Sequence, residues 1–121
     1  MSLEIKKYKE TDIAIIISED IEVHNAQEML ELIVNCWYQW SRKIVMYEKN
    51  IVPEFFSLQT GIAGEILQKV VNYDFWIAII WEYEKISSQS LKDFIYESNK
   101  VGRVNFVKSM EEALEKFGGA N

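Results

Sequence analysis

Residues 60–83 read TGIAGEILQKVVNYDFWIAIIWEY, and the two halves of this stretch follow different periods. In the first half Ile62, Ala63, Ile66, Leu67, Val70 and Val71 recur at helical spacing. They make one apolar face of a helix that Thr60 and Gly61 start, with Thr60 as the expected N-cap. Gly64, one turn in, is expected to let that helix approach a sheet closely. In the second half Phe75 to Tyr83 is almost continuously apolar, as a strand covered on both faces must be. A helix leading into such a strand is half of a crossover unit. Strands joined in this way run parallel, with right-handed connections.

The same alternation extends in both directions. Upstream, Leu3 to Lys9 is a weak strand, Glu10-Thr11-Asp12 a turn, and Ile13 to Ser18 a continuous apolar strand, together an antiparallel hairpin. After the acidic connection of Glu19, Asp20 and Glu22, Asn25 with Glu28 reads as a capping box. The helix it opens should turn Ala26, Met29, Leu30, Ile33, Val34 and Trp37 inward. Ile44 to Glu48 is a short strand, followed by a loop with the single proline, Pro53, and the pair Phe55-Phe56. Downstream, Ser87 or Ser88 caps a third helix with Leu91, Phe94 and Ile95 inward, and Val104 to Val107 is the last strand. Ser109 with Glu112 forms a second capping box, and the closing helix carries Leu114 and Phe117 before Gly118-Gly119. The spacing predicts one α/β domain over residues 1–121, in the order ββαβαβαβα, with a small, mixed, mostly parallel sheet flanked by helices.

Charge and rare residues narrow the function classes. Thirteen Lys+Arg against nineteen Asp+Glu leave a net charge of -6, and Lys6, Lys7 and Lys9 are the densest basic group. Nucleic-acid binding depends on clustered basic residues that neutralise phosphates, so no nucleic acid is expected as a partner. An acidic surface is equally unsuited to anionic lipid, and the longest apolar run, Phe75 to Trp81, is seven residues where a span needs about 20. One cysteine and one histidine cannot supply an internal disulfide or a Cys/His zinc set, and no cofactor is expected. No secretory segment opens the sequence, so the expected location is the cytoplasm.

Cys36 and Arg42 stand at the C-x5-R spacing of cysteine phosphatases, but Trp37, Tyr38, Gln39, Trp40 and Ser41 between them include no glycine to wrap an oxyanion. Cys36 is therefore expected to be structural. His24, just ahead of the first helix, is expected to be a solvated or capping residue. Asp93 and Glu97 share a helical face with Lys92 and Lys100 nearby, the pattern of a solvated surface. Glu19, Asp20 and Glu22 could meet Glu48 or Glu82 in a loose magnesium site, although no spacing constrains one. Aromatic residues are plentiful, at four Trp, six Tyr and six Phe. Trp76 and Trp81 should point to opposite sheet faces, Trp37 to the core, and Trp40 and Tyr38 to the surface. An exposed aromatic cluster would favour protein partners or a homodimer.

From Phe55 onward the stretch FFSLQTGIAGEILQKVVNY, then SSQSLKDFIYESNK, then VNFVKSMEEALEK resembles small bacterial proteins grouped as domain of unknown function 4180. That resemblance covers nearly the whole chain and implies no established activity. More distantly, a strand, a short loop with an aromatic, a hydroxyl-Gly pair, a helix and a strand resemble the layout of STAS domains, the sulphate-transporter and anti-sigma-antagonist modules. The resemblance implies a STAS-like fold in which the Thr60-Gly61 pair corresponds to a phosphorylated Ser or Thr before glycine, with the phosphate controlling a protein contact. Leu58 and Gln59 stand where those modules usually carry an acidic residue and a serine. The leading expectation is a non-enzymatic cytosolic protein-binding or regulatory module with its surface centred on Thr60 and Gly61. The alternatives are a small-ligand or nucleotide-binding protein using the carboxyl ends of the parallel strands, where Glu48, Lys49, Asn50, Lys85 and Ser87 would line the site, and a structural homodimer.

Overall fold

In the computed structural model the described residues are 2–81 and 88–118. They form β1 (Ser2–Tyr8), β2 (Thr11–Ile17), α1 (Ala26–Trp37), β3 (Lys43–Tyr47), α2 (Ile62–Asn72), β4 (Trp76–Ile80), α3 (Gln89–Val101), β5 (Val104–Val107) and α4 (Met110–Gly118). Three short 3-10 turns, Glu48–Asn50, Pro53–Phe56 and Leu58–Thr60, fill the connection from β3 to α2. The five strands lie in the spatial order β1-β2-β3-β4-β5. Only the β1–β2 pair is antiparallel; the other three pairs are parallel, so the sheet is mixed and mostly parallel.

The hairpin closes one residue earlier than the sequence suggests. Tyr8 pairs with Thr11, leaving Lys9 (φ 49°) and Glu10 (φ 70°) as a two-residue turn with both residues left-handed. This turn hand matches the strand twist. Thr11 and Asp12 belong to β2 rather than to the turn.

Strand parity divides the core into two layers. Ala14, Ile16, Ile44, Met46, Ile77, Ile79, Val104 and Phe106 face α1, α2 and α3. Ile13, Ile15, Val45, Ala78, Ile80 and Val107 face Ala113, Leu114 and Phe117 of α4. Trp76 packs with the second layer and Trp81 with the first, on opposite faces as their odd spacing requires. β4 is interior, paired on both sides, and apolar throughout.

Two helical stripes differ from the expected ones. In α1 the buried residues are Met29, Leu32, Ile33 and Cys36, while Val34 and Trp37 are exposed. At about 100° per residue those four cluster along one line, and Leu30, Val34 and Trp37 lie roughly 80–140° round from it. In α2 Ala63, Ile66 and Val70 are buried and Val71 is exposed by the same rotation. Gly64 is also exposed, with open space where a side chain would stand, so it permits no close approach to the sheet.

The caps follow local chemistry. Asn25 Oδ1 accepts the Glu28 N–H at 2.9 Å, and Ser109 Oγ accepts the Glu112 N–H at 3.1 Å. The returning carboxylates reach one residue further than a standard capping box, to the N–H groups of His24 and Lys108. Ser88 Oγ accepts from the Leu91 N–H, while Ser87 lies outside the described residues. Asn99 on α3 pairs its amide with both backbone groups of Phe106, at 2.7 and 3.3 Å, and so covers part of the β5 edge.

Phe106 is the hub of the first layer, within 5.5–6.4 Å of the rings of Phe55, Phe56, Trp81 and Phe94. Phe106→Ala is expected to lower unfolding free energy by about 3–5 kcal/mol, the usual consequence of deleting a buried aromatic ring. Chemical denaturation with tryptophan fluorescence measures it.

Candidate functional site

Loops that follow parallel strands gather at one end of the sheet, and here they enclose a cleft of about 770 Å³. Its apolar wall comes from Ile21 after β2, Ile51, Pro53 and Phe56 after β3, Ile80 and Trp81 at the end of β4, and Leu91 on α3. Phe56 stacks on Trp81 with ring centroids 5.2 Å apart and planes 11° from parallel. Tyr47, Glu48, Lys49 and Lys108 complete the lining. Lys49 Nζ pairs with Glu19 Oε1 at 2.8 Å and lies 5.6 Å from the Tyr47 ring centre.

Asn50 builds this end of the molecule rather than lining it. Its side chain is fully buried; Oδ1 accepts the Tyr47 N–H at 3.0 Å, and Nδ2 donates to the Ser18 and Asp20 carbonyls at 3.0 and 2.9 Å. Its own carbonyl accepts the N–H groups of Glu22 and Val23. One amide thus ties the loop after β2 to the turn after β3. Of the residues expected at the crevice, Glu48 and Lys49 line the cleft, Asn50 supports it from beneath, and Lys85 and Ser87 lie outside the described residues.

Thr60 and Gly61 sit behind the same wall. Gly61, not Thr60, occupies the N-cap of α2, with a left-handed φ of 79° that favours glycine. Thr60 closes the preceding turn. Its hydroxyl lies 3.0 Å from the Glu54 carbonyl and 2.8 Å from that of Ser57, sharing its proton between them, and it accepts the Ile62 N–H at 3.3 Å. The exposed hydroxyl therefore pins the Pro53–Phe56 turn that presents Phe56 to the cleft.

The reactive side chains are otherwise occupied. Cys36 is buried, and desolvation pushes its thiol up to about 12, away from the nucleophilic thiolate. Arg42 points elsewhere, toward the Tyr73 and Asp74 carbonyls and the Asp74 carboxylate. Glu19 pairs with Lys49, Glu22 accepts from Ser18 Oγ at 2.6 Å, and Glu82 lies outside the described residues. Among the described residues no three His, Cys, Asp or Glu side chains are grouped to hold a metal ion. No helix among them is long and apolar enough to cross a membrane.

A second surface occupies the opposite end of the sheet, where β2 and β3 begin. A hollow of about 410 Å³ is lined by Glu10, Thr11, Asp12, Trp37, Trp40, Arg42 and Lys43. Trp37 is 56%, Tyr38 82% and Trp40 84% exposed. α1 ends in a Schellman pattern: the Trp40 N–H bonds the Trp37 carbonyl and the Ser41 N–H bonds the Cys36 carbonyl. Trp40 occupies the left-handed position of that motif, at φ 64°, where glycine is the usual residue. Reading Trp37 as part of the core stripe hid this surface. The signal available in the sequence was the run of bulky residues at the helix end with no glycine to stop it.

The described residues together define an α/β domain with a three-helix layer on one sheet face, a single helix on the other, and an apolar cleft at the carboxyl ends of its parallel strands. The chain belongs to the family described as Domain of unknown function (DUF4180), whose model matches residues 8–117. No curated protein and no solved structure matches it.

Two consequences are measurable. Asn50→Ala removes three hydrogen bonds and leaves buried backbone groups unmatched, so it is expected to cost about 2–4 kcal/mol of stability, read by urea denaturation. Glu28 accepts first the His24 backbone N–H and then its ring Nδ1, at 2.7 and 2.8 Å, which holds its carboxyl below the usual range. A depressed folded value stabilises fully above the unfolded value and is lost as pH falls through the folded one. Glu28→Gln should therefore flatten the stability–pH curve below about pH 4.3, as read by thermal melts across that range.

Proposed function

We propose that this chain is a non-enzymatic, cytosolic, STAS-like binding module that receives an apolar segment of a partner protein in the cleft at the carboxyl ends of its parallel strands. The observation that carries the reading is the cleft itself: Ile21, Ile51, Phe56, Ile80, Trp81 and Leu91 offer apolar surface, and the charged groups lining it among the described residues are Glu48, Lys49 and Lys108. Such a surface binds by burying apolar side chains. Thr60 is the proposed point of control. Phosphorylation would replace the hydroxyl proton that holds the Glu54 and Ser57 carbonyls, and would add about two negative charges beside the turn. Phe56 rides on that turn, so the cleft wall would respond. The hydroxyl-Gly pair before α2 supports the STAS-like comparison.

A second reading is favoured by the size of the cleft. Its 770 Å³ lies within the range of about 300–1,000 Å³ typical of small-molecule sites. The same wall would then hold a compact apolar ligand.

Native mass spectrometry of the protein isolated from its own cells, beside an Ile21→Glu variant, separates the two. Ile21 is partly exposed, so the variant is expected to fold while placing a charge in the cleft. A stoichiometric protein partner present on the wild type and absent from Ile21→Glu supports the module. A small molecule that is lost in the same way supports the second reading instead. A partner retained by the variant, or a wild-type chain that carries neither, overturns the proposal. Thr60→Glu should change the partner-bound fraction of a chain whose circular dichroism shows it still folded, and an unchanged fraction removes the switch.

A further inference from the structure

The aromatic end of the molecule is not used by the cleft reading and carries an inference of its own. We propose that two copies of this chain associate through Trp37, Trp40 and the tip of the β1–β2 hairpin, about a two-fold axis.

The first argument is conformational. A bulky side chain in the left-handed region is strained, and a residue there persists when something outside its own backbone preference selects it. Trp40 is so exposed that packing within the chain does not supply the compensation. Glycine would end α1 through the same two hydrogen bonds without strain. What glycine lacks is the indole. Trp37 and Tyr38 extend the same exposed aromatic surface, and tryptophan, tyrosine and arginine are the side chains that anchor protein interfaces.

The second argument concerns the occupant. The chain is acidic overall, at -6, yet this hollow sets Glu10 and Asp12 beside Arg42 and Lys43, two charges of each sign. Glu10 stands at the hairpin tip beside Lys9, whose Nζ pairs with Glu115 at 3.5 Å, while Asp12 stands at the start of β2 and Arg42 just ahead of β3. A strongly acidic or strongly basic partner would meet like charge over half of the surface. A second copy related by a two-fold axis sets the Glu10 of each hairpin against the other's Arg42, the self-complementarity of an isologous interface. Existing pairs do not prevent the exchange. Arg42–Asp74 and Lys7–Asp12, at 3.8 and 3.5 Å, are solvent-exposed and of small net worth, whereas Lys43 keeps its Nζ on the Phe117 carbonyl at 3.1 Å and takes no part in the exchange. The apolar cleft lies at the other end of the strands and stays open in such a dimer.

Sedimentation velocity over a concentration series tests the pairing, with wild type, Trp40→Gly, Arg42→Glu and the double exchange Arg42→Glu with Glu10→Arg. Trp40→Gly is chosen because glycine suits the left-handed position, so its thermal stability should match or exceed that of the wild type. The wild type is expected to dimerise, and Trp40→Gly to weaken the dimer by at least about tenfold, as loss of an anchoring indole does. Arg42→Glu alone should weaken it, and the double exchange should recover it. A wild type that stays monomeric at its highest soluble concentration overturns the proposal. So does a dimer indifferent to Trp40→Gly, which would point to pairing along the β1 edge.

Discussion

The handedness of the crossovers governs everything else in this molecule. Three parallel pairs in consecutive spatial order require three connections that step the same way across the sheet, and one hand then sends α1, α2 and α3 to a single face. The opposite face is left to α4. Nine residues of helix extend about 14 Å, whereas five strands spread their axes over about 19 Å. α4 leaves the carboxyl end of β5 and ends where Lys43 Nζ reaches the Phe117 carbonyl at 3.1 Å and Gly118 lies against the Tyr8 ring. It therefore crosses the face diagonally. Ile17 and Tyr47 share that face, at the corner the diagonal misses, and remain 52% and 37% exposed.

Polar groups enter the interior where they fasten the sheet. Asn50 ties the carboxyl ends of β2 and β3 together, and Ser41, also fully buried, ties their starts. The Ser41 hydroxyl lies 2.9 Å from both the Asp12 and Lys43 carbonyls. Between these two bolts only three residue pairs of the β2–β3 ladder are needed. Each residue replaces water at backbone groups that would otherwise be buried unmatched. The cleft and the aromatic hollow lie just beyond the two bolts, so each surface stands on a rigid foundation, and the two are separated by the length of the strands.

How much of this was legible depends on whether a residue's role is local. The apolar run through β4, the hairpin, the caps at Asn25 and Ser109 and the mixed, mostly parallel sheet all follow from short-range patterns. The rule that loops gather at strand ends places Glu48 and Lys49 near a crevice. Asn50 was grouped with them because adjacency was the only guide; its partners are carbonyls some thirty positions away, which no spacing announces. The hydroxyl-glycine pattern places the N-cap at Thr60, one residue before Gly61 where it falls, since glycine as the capping residue depends on a φ that composition does not reveal. The apolar stripe places Trp37 in the core, a misassignment that arises because steps of three and four admit two rotations of a helix. The choice between Leu32 with Cys36 and Val34 with Trp37 belongs to the sheet beneath.

That misassignment bears on what the domain can do. If Trp37 were core, Trp40 would share the exposed helix end with Tyr38 alone and Cys36 would stand at the margin of the core, near Arg42. The observed rotation reverses both. It buries Cys36 beneath α1, where desolvation holds the thiol protonated, and it brings Trp37 to the surface beside Trp40 and Arg42. The Arg42 guanidinium then lies 5.9 Å from the Trp37 ring centre, facing aromatic surface instead of a thiolate. One rotation of one helix thus converts a spacing suggestive of nucleophilic chemistry into a surface suited to contact, and places that surface at the end of the sheet where α1 stops.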